Sequence, residues 1–98
     1  MTRMETAIDP QKLKQILEAA LFAAEEPLSV DRMTRLFAHG ELDSEEGRAL
    51  IRATLDTLAA EAEGRGYELS RVASGYRYQV RQEYAEWVGR LWEEKPPR

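Results

Sequence analysis

Ser74-Gly75 constrains the fold of this chain more than any other pair of residues. It is a two-residue hairpin signal set between two short runs rich in aromatic and β-branched residues. The first run is Gly66-Tyr67-Glu68-Leu69-Ser70-Arg71-Val72 and the second is Tyr76-Arg77-Tyr78-Gln79-Val80-Arg81. Everywhere else the periodicity is helical. In the second run Tyr76, Tyr78 and Val80 alternate with Arg77, Gln79 and Arg81, which reads as a strand with one inward and one polar face. In the first run Tyr67 and Leu69 are expected inward, with a twist or bulge near Val72.

Helices surround the hairpin. Asp9 is placed to cap a first helix and Pro10 suits its first position. Leu13, Ile16, Leu17, Ala20, Leu21 and Ala24 then recur at helical spacing until Pro27. Phe22 lies off this stripe. It either packs on a neighbouring helix of the same domain or meets a partner. Ser29 is a good N-cap for a second helix, running to about Ala38, with Leu28 and Met33 at the positions of a hydrophobic staple. Val30, Met33, Leu36 and Phe37 would face inward, and Pro27-Leu28-Ser29 is placed to add one β-bridge. His39-Gly40 would close this helix, where a cation suits the C-terminal end. Asp43 and Glu46 have capping-box spacing and open a third helix. Its apolar face is Leu50, Ile51, Leu55, Leu58, Ala59 and Ala62, and Gly64 and Gly66 end it. Tyr84, Trp87, Val88, Leu91 and Trp92 share one broad face of a last helix. Part of that face should cover the core. The remainder, Trp92 first, could meet another chain.

Three helices, a hairpin and one more helix form the order of a winged-helix domain. The expected class is mostly α with a small β-hairpin: a three-helix core, a two- to three-stranded wing and an extra C-terminal helix. Ninety-eight residues suit one domain. It is expected over 9–92, after a loose tail at 1–8. Glu93-Glu94-Lys95-Pro96-Pro97-Arg98 reads as a linker towards a second domain.

A winged helix often reads DNA with its third helix and wing. Here the third helix offers Glu45, Glu46, Asp56, Glu61 and Glu63 against Arg48 and Arg52, and the whole chain carries a net charge of −4. Both are a poor match to a polyanion. The hairpin is the most basic region, with Arg65, Arg71, Arg77 and Arg81. Its plainer reading is a solvated strand face with Glu68 as cross-strand partner. The alternative is nucleic-acid contact through Arg71, Arg77 and Arg81. With no cysteine in the sequence, disulfides, cysteine catalysis and a cysteine-built zinc site are excluded. His39, the single histidine, has no second ligand near it in sequence. Gly64-Arg65-Gly66 is too short for a dinucleotide fingerprint and precedes a strand instead of following one. No enzyme motif and no cofactor site is found. The N-terminus has no signal-peptide pattern and no run reaches the length of a membrane span, so the expected location is cytoplasmic.

Three blocks carry a resemblance to a known family. Leu17-Glu18-Ala19-Ala20-Leu21-Phe22-Ala23-Ala24-Glu25-Glu26-Pro27-Leu28-Ser29 resembles the first helix and turn of bacterial segregation and condensation protein B, ScpB. Gly66-Tyr67-Glu68-Leu69 through Gly75-Tyr76-Arg77-Tyr78-Gln79-Val80-Arg81 is similar to its hairpin. Glu83-Tyr84-Ala85-Glu86-Trp87-Val88 continues the likeness, and Lys95-Pro96-Pro97-Arg98 looks like the family's interdomain linker. Together they span about residues 10 to 98, the N-terminal half of the family's pattern. The resemblance implies a homodimer that binds the kleisin subunit ScpA and, through it, an SMC ATPase, in a complex that compacts and segregates the nucleoid. DNA would be met only indirectly, and no membrane or small-molecule substrate is implied. The resulting expectation is a non-catalytic, dimerising, kleisin-binding subunit, with Phe22, Trp87 and Trp92 as interface candidates and Tyr76 and Tyr78 supporting the wing. The competing expectation is a DNA-binding winged-helix transcriptional regulator.

Overall fold

The computed structural model describes residues 8–93. The expected tail and linker lie outside these residues, apart from Ile8, which packs against the core, and Glu93, which closes the last helix.

Helix α1 spans Pro10–Ala23. The Asp9 carboxylate accepts from the Lys12 amide at 3.3 Å, so the Asp-Pro start works as the sequence suggests. Leu13, Leu17 and Leu21 form its buried stripe. The strand-like segment after Pro27 brings Leu28 beside the hairpin. There the Leu28 amide donates to the Tyr76 carbonyl at 2.9 Å and the Tyr76 amide donates back at 2.8 Å. This is the expected β-bridge, and it makes a short third edge to the wing.

Helix α2 is only Val30–Thr34, shorter than its apolar spacing suggests. Ser29 caps it, accepting from the Arg32 amide at 3.1 Å. The Thr34 hydroxyl donates to the Asp31 carbonyl at 2.6 Å, a local bond that competes with helix continuation. The backbone then turns extended at Phe37 (φ −110°, ψ 139°), and Phe37 enters the core. Leu36, expected inward on a longer helix, is 48% exposed for that reason. His39 does not sit at the end of α2. It occupies a 3₁₀ turn, Ala38–Gly40, with φ +60°.

Helix α3, Glu45–Glu61, is capped one residue later than Asp43 would place it. The Ser44 hydroxyl accepts from the Gly47 amide at 2.9 Å, while Asp43 accepts from Arg48. Gly47 is required because the backbone of Leu42 passes over it: an added Cβ would lie 2.7 Å from Leu42 Cα and closer still to its carbonyl. Leu42 itself is buried, a core residue the helical periodicity does not reveal. Ser44→Ala is expected to cost about 1 kcal/mol, read as a lower urea midpoint, whereas Asp43→Ala should shift it less because that side chain only pairs at the surface.

Strands β1 (Tyr67–Val72) and β2 (Gly75–Val80) pair antiparallel from Tyr67 opposite Val80 to Val72 opposite Gly75. The register is unbroken, so the bulge expected near Val72 does not form. The turn is Ala73-Ser74, one residue earlier than the Ser74-Gly75 pair suggests, and Gly75 opens β2. Val80 is 49% exposed, contrary to the inward place its alternation implies. Leu13, Leu17, Met33, Ile51 and Leu55 are the fully buried centre. Each is worth about 1.5–3 kcal/mol of burial. Leu69, Tyr76 and Tyr78 close the core from the hairpin side. The fold is a winged helix: α1–α3 as the body and the hairpin as the wing.

Helix α4, Ala85–Glu93, follows a 3₁₀ turn at Gln82–Tyr84. It was expected to cover the core with part of its apolar face. It does not: no residue of α4 is buried, and its contacts are chiefly with the turn that leads into it.

Candidate functional site

The apolar face of α4 is the most exposed hydrophobic surface among the described residues. Trp87 is 60% exposed and Leu91 and Trp92 are each 70% exposed, with Tyr84 beside them at 39%. The helical spacing of these residues puts them on one side. Tyr84 and Trp87 are neighbours, their ring centroids 6.4 Å apart. The opposite face is polar, with Arg90 paired to Glu86 at 3.3 Å one turn away. A helix this amphipathic gains little by itself in water. Contiguous exposed aromatic and aliphatic side chains of this kind are characteristic of surfaces that meet another macromolecule.

Phe22, read as helix-packed or partner-facing, packs within the fold on the hairpin and not on a neighbouring helix. Its ring stacks on Tyr78 (centroids 4.3 Å, planes 19° apart) and meets Tyr67 edge-on at 5.8 Å. Tyr67 and Tyr78 are themselves edge-on at 5.3 Å. The outer side of Phe22 stays open, and the residue is 59% exposed. A shallow apolar cleft of about 220 Å³ lies here, lined by Leu21, Phe22, Tyr67, Tyr78 and Val80. Tyr76 and Tyr78 are half-buried against the core.

Partial burial pushes the Tyr78 hydroxyl up from the ordinary 10 to about 12, with the nearby Glu18 carboxylate adding to it. The neutral phenol is therefore the form the fold prefers. Its contribution to stability is complete below pH 10 and is lost as the pH rises from 10 towards 12. In an alkaline titration followed by tyrosinate absorbance, one step should come late, near pH 12, and Tyr78→Phe should remove it.

The three arginines considered for nucleic-acid contact do not form one surface. Arg81 is a structural clamp: its guanidinium donates to the carbonyls of Arg65 (2.9 Å) and Ala62 (3.0 Å) and pairs with Glu68 at 3.4 Å. It ties the end of β2 to the exposed carbonyls after α3. Arg71 lies over the Tyr76 ring, 5.9 Å from its centroid. Arg77 is exposed on the middle of β2. On α3, Arg48 is engaged by Asp31 and Asp43, both at 2.9 Å. The remaining exposed charges of that helix are mostly acidic, as expected. Among the described residues no cluster of three or more His, Asp or Glu side chains is placed to hold a metal ion. No described helix is long and apolar enough to cross a membrane.

The sequence profile of the family described as Segregation and condensation complex subunit ScpB matches residues 15–98. The chain belongs to the ScpB family. A segregation and condensation protein B homolog from Coxiella burnetii is 42% identical over 87 residues, 87% of this chain and 39% of that protein. The chain spans less than half the length of the curated ScpB relatives it matches. Among solved structures, ScpB from Mycobacterium tuberculosis superposes with a TM-score of 0.74 at 26% identity, covering 93% of this chain and 56% of that one. A dimer of an ScpB N-terminal domain complexed with an ScpA peptide gives a TM-score of 0.66 at 24% identity, covering 83% of this chain and 95% of that one. At that identity the second likeness speaks for the fold. The ScpB match begins within α1 and runs through the hairpin and α4, the three blocks that carry the sequence resemblance.

Proposed function

We propose that this chain is a non-catalytic module of a chromosome segregation and condensation complex, acting in the cytoplasm at the nucleoid. It dimerises and binds a kleisin subunit of the ScpA type, and reaches the SMC ATPase and DNA only through that partner. Family membership supplies the setting. The observation that carries the reading for this chain is the α4 face: Trp87, Leu91 and Trp92 are more than half exposed, and no residue of α4 is buried among the described residues. Aromatics of this kind dominate the energetics of protein interfaces. The regulator reading loses its main support, because Arg81 is consumed inside the fold and α3 presents acids.

The test is a calorimetric titration of the chain with the ScpA subunit of the same organism. Saturable binding with a defined stoichiometry is expected. No heat and no complex on gel filtration, from a chain that is folded by circular dichroism, would remove the kleisin-binding half of the proposal.

A further inference from the structure

Arg48, Arg52 and Arg71 are far apart in the sequence yet line one cleft of about 330 Å³ between α2, α3 and the hairpin turn. Arg48 and Arg52 lie one turn apart on α3 and so share a flank. Arg71 reaches the cleft from the end of β1, its guanidinium resting over the Tyr76 ring. Arg48 is fixed from two sides by Asp31 and Asp43. Arg52, by contrast, has no hydrogen bond or ion pair among the described residues, and Arg71 has only its ring contact. Asp31 and Asp43 together balance Arg48, so the positive charge of the lining rests on Arg52 and Arg71, in a chain whose net charge is −4. General surface charge therefore does not account for it. Ser29 and Ser74 add hydroxyls at the rim.

We propose that this cleft binds a carboxylate-bearing acidic segment of a protein partner. Arg52 and Arg71 would supply the forked donors that match carboxylate geometry, while Arg48 is held by its two aspartates at the edge of the cleft. A duplex is the poorer occupant. Glu45 precedes Arg48 by three residues and Asp56 follows Arg52 by four, so both acids bracket the arginine pair on its own flank. A nucleic acid lying along α3 would bring its fixed row of phosphates onto them, whereas a flexible acidic peptide can place one carboxylate in the cleft and turn the others to solvent. No residue of α4 lines the cleft, so the inference stands apart from the dimer surface.

The experiment is an NMR titration of the isotope-labelled chain with an acetylated and amidated tetraglutamate peptide. The tetraglutamine peptide and a mixed-sequence DNA duplex are titrated in parallel. Saturable shifts at Arg52, Arg71 and Ser74 with tetraglutamate, weakening as salt is raised, are the expected result. Arg52→Glu and Arg71→Glu should each weaken the affinity about tenfold. Both side chains are exposed, so the variants should fold, which circular dichroism checks. Should Arg71→Glu disturb the hairpin, Arg52→Glu alone decides. Equal shifts with tetraglutamine, unchanged affinity in Arg52→Glu, or tighter binding of the duplex at the same residues would each overturn the proposal.

Discussion

Gly75→Ala is expected to lower the stability of the chain by about 3 kcal/mol or more, large against the few kcal/mol that hold a domain of this size. Two separate effects add. Gly75 has φ +145°, a conformation that residues with a side chain rarely adopt. An alanine Cβ there would also run into the Leu28 carbonyl and stand 2.7 Å from the Ser29 nitrogen. Both groups are backbone and cannot swing aside. The clash therefore separates Leu28 from Tyr76 and breaks the two hydrogen bonds that fasten the wing to the segment before α2. The measurement is urea or thermal unfolding, with a drop in melting temperature on the order of 10 °C or more. Gly64→Ala is the matched control. Gly64 also has a positive φ, +79°, but a Cβ there meets nothing within 4 Å. That change should cost about 1 kcal/mol, the strain alone. If the two substitutions cost the same, the close approach of Leu28 is not what fixes Gly75.

Leu91→Asp is expected to leave the fold intact and strongly weaken self-association. Leu91 is 70% exposed, so unfolding should change by no more than about 0.5 kcal/mol. A carboxylate among Trp87, Leu91 and Trp92 would have to be desolvated at an apolar interface. The dimer should weaken by at least about thirtyfold, the scale of a hot-spot loss. Trp92→Ala should act in the same direction with a smaller effect on solubility. A variant that is folded yet still dimeric would show that α4 is not the contact.

Local chemistry is written in the sequence of this chain more plainly than its tertiary arrangement. Asp9-Pro10 and Ser29 were legible because a cap depends on residues within three positions of itself. The stripe of Leu13, Leu17 and Leu21 was legible because one buried face imposes its period. Ser44 was hidden by Asp43, an equally good cap one residue earlier that pairs with Arg48 instead. Helix α2 is shorter than its apolar spacing because Phe37 reaches the core from an extended backbone, which periodicity cannot register. At the candidate site, the five apolar positions of the last helix were visible, but a pattern names a face and not the body that face meets. Whether Trp87 covers the domain or leaves it is decided by the path of the chain through Gln82–Tyr84. The arginine cleft was not visible for a similar reason. Arg48 and Arg52 are neighbours on one helix, but Arg71 joins them only once the hairpin folds back over α2. The alternation of β2 instead drew attention to Arg77 and Arg81, of which Arg81 serves the fold.

The exposed face of α4 is proposed to join two copies of the chain. Sedimentation equilibrium of the unmodified chain across the micromolar range tests it most directly. A single species of twice the monomer mass of 11.2 kDa, dissociating only on dilution, is predicted. A clean monomer at high micromolar concentration would contradict it.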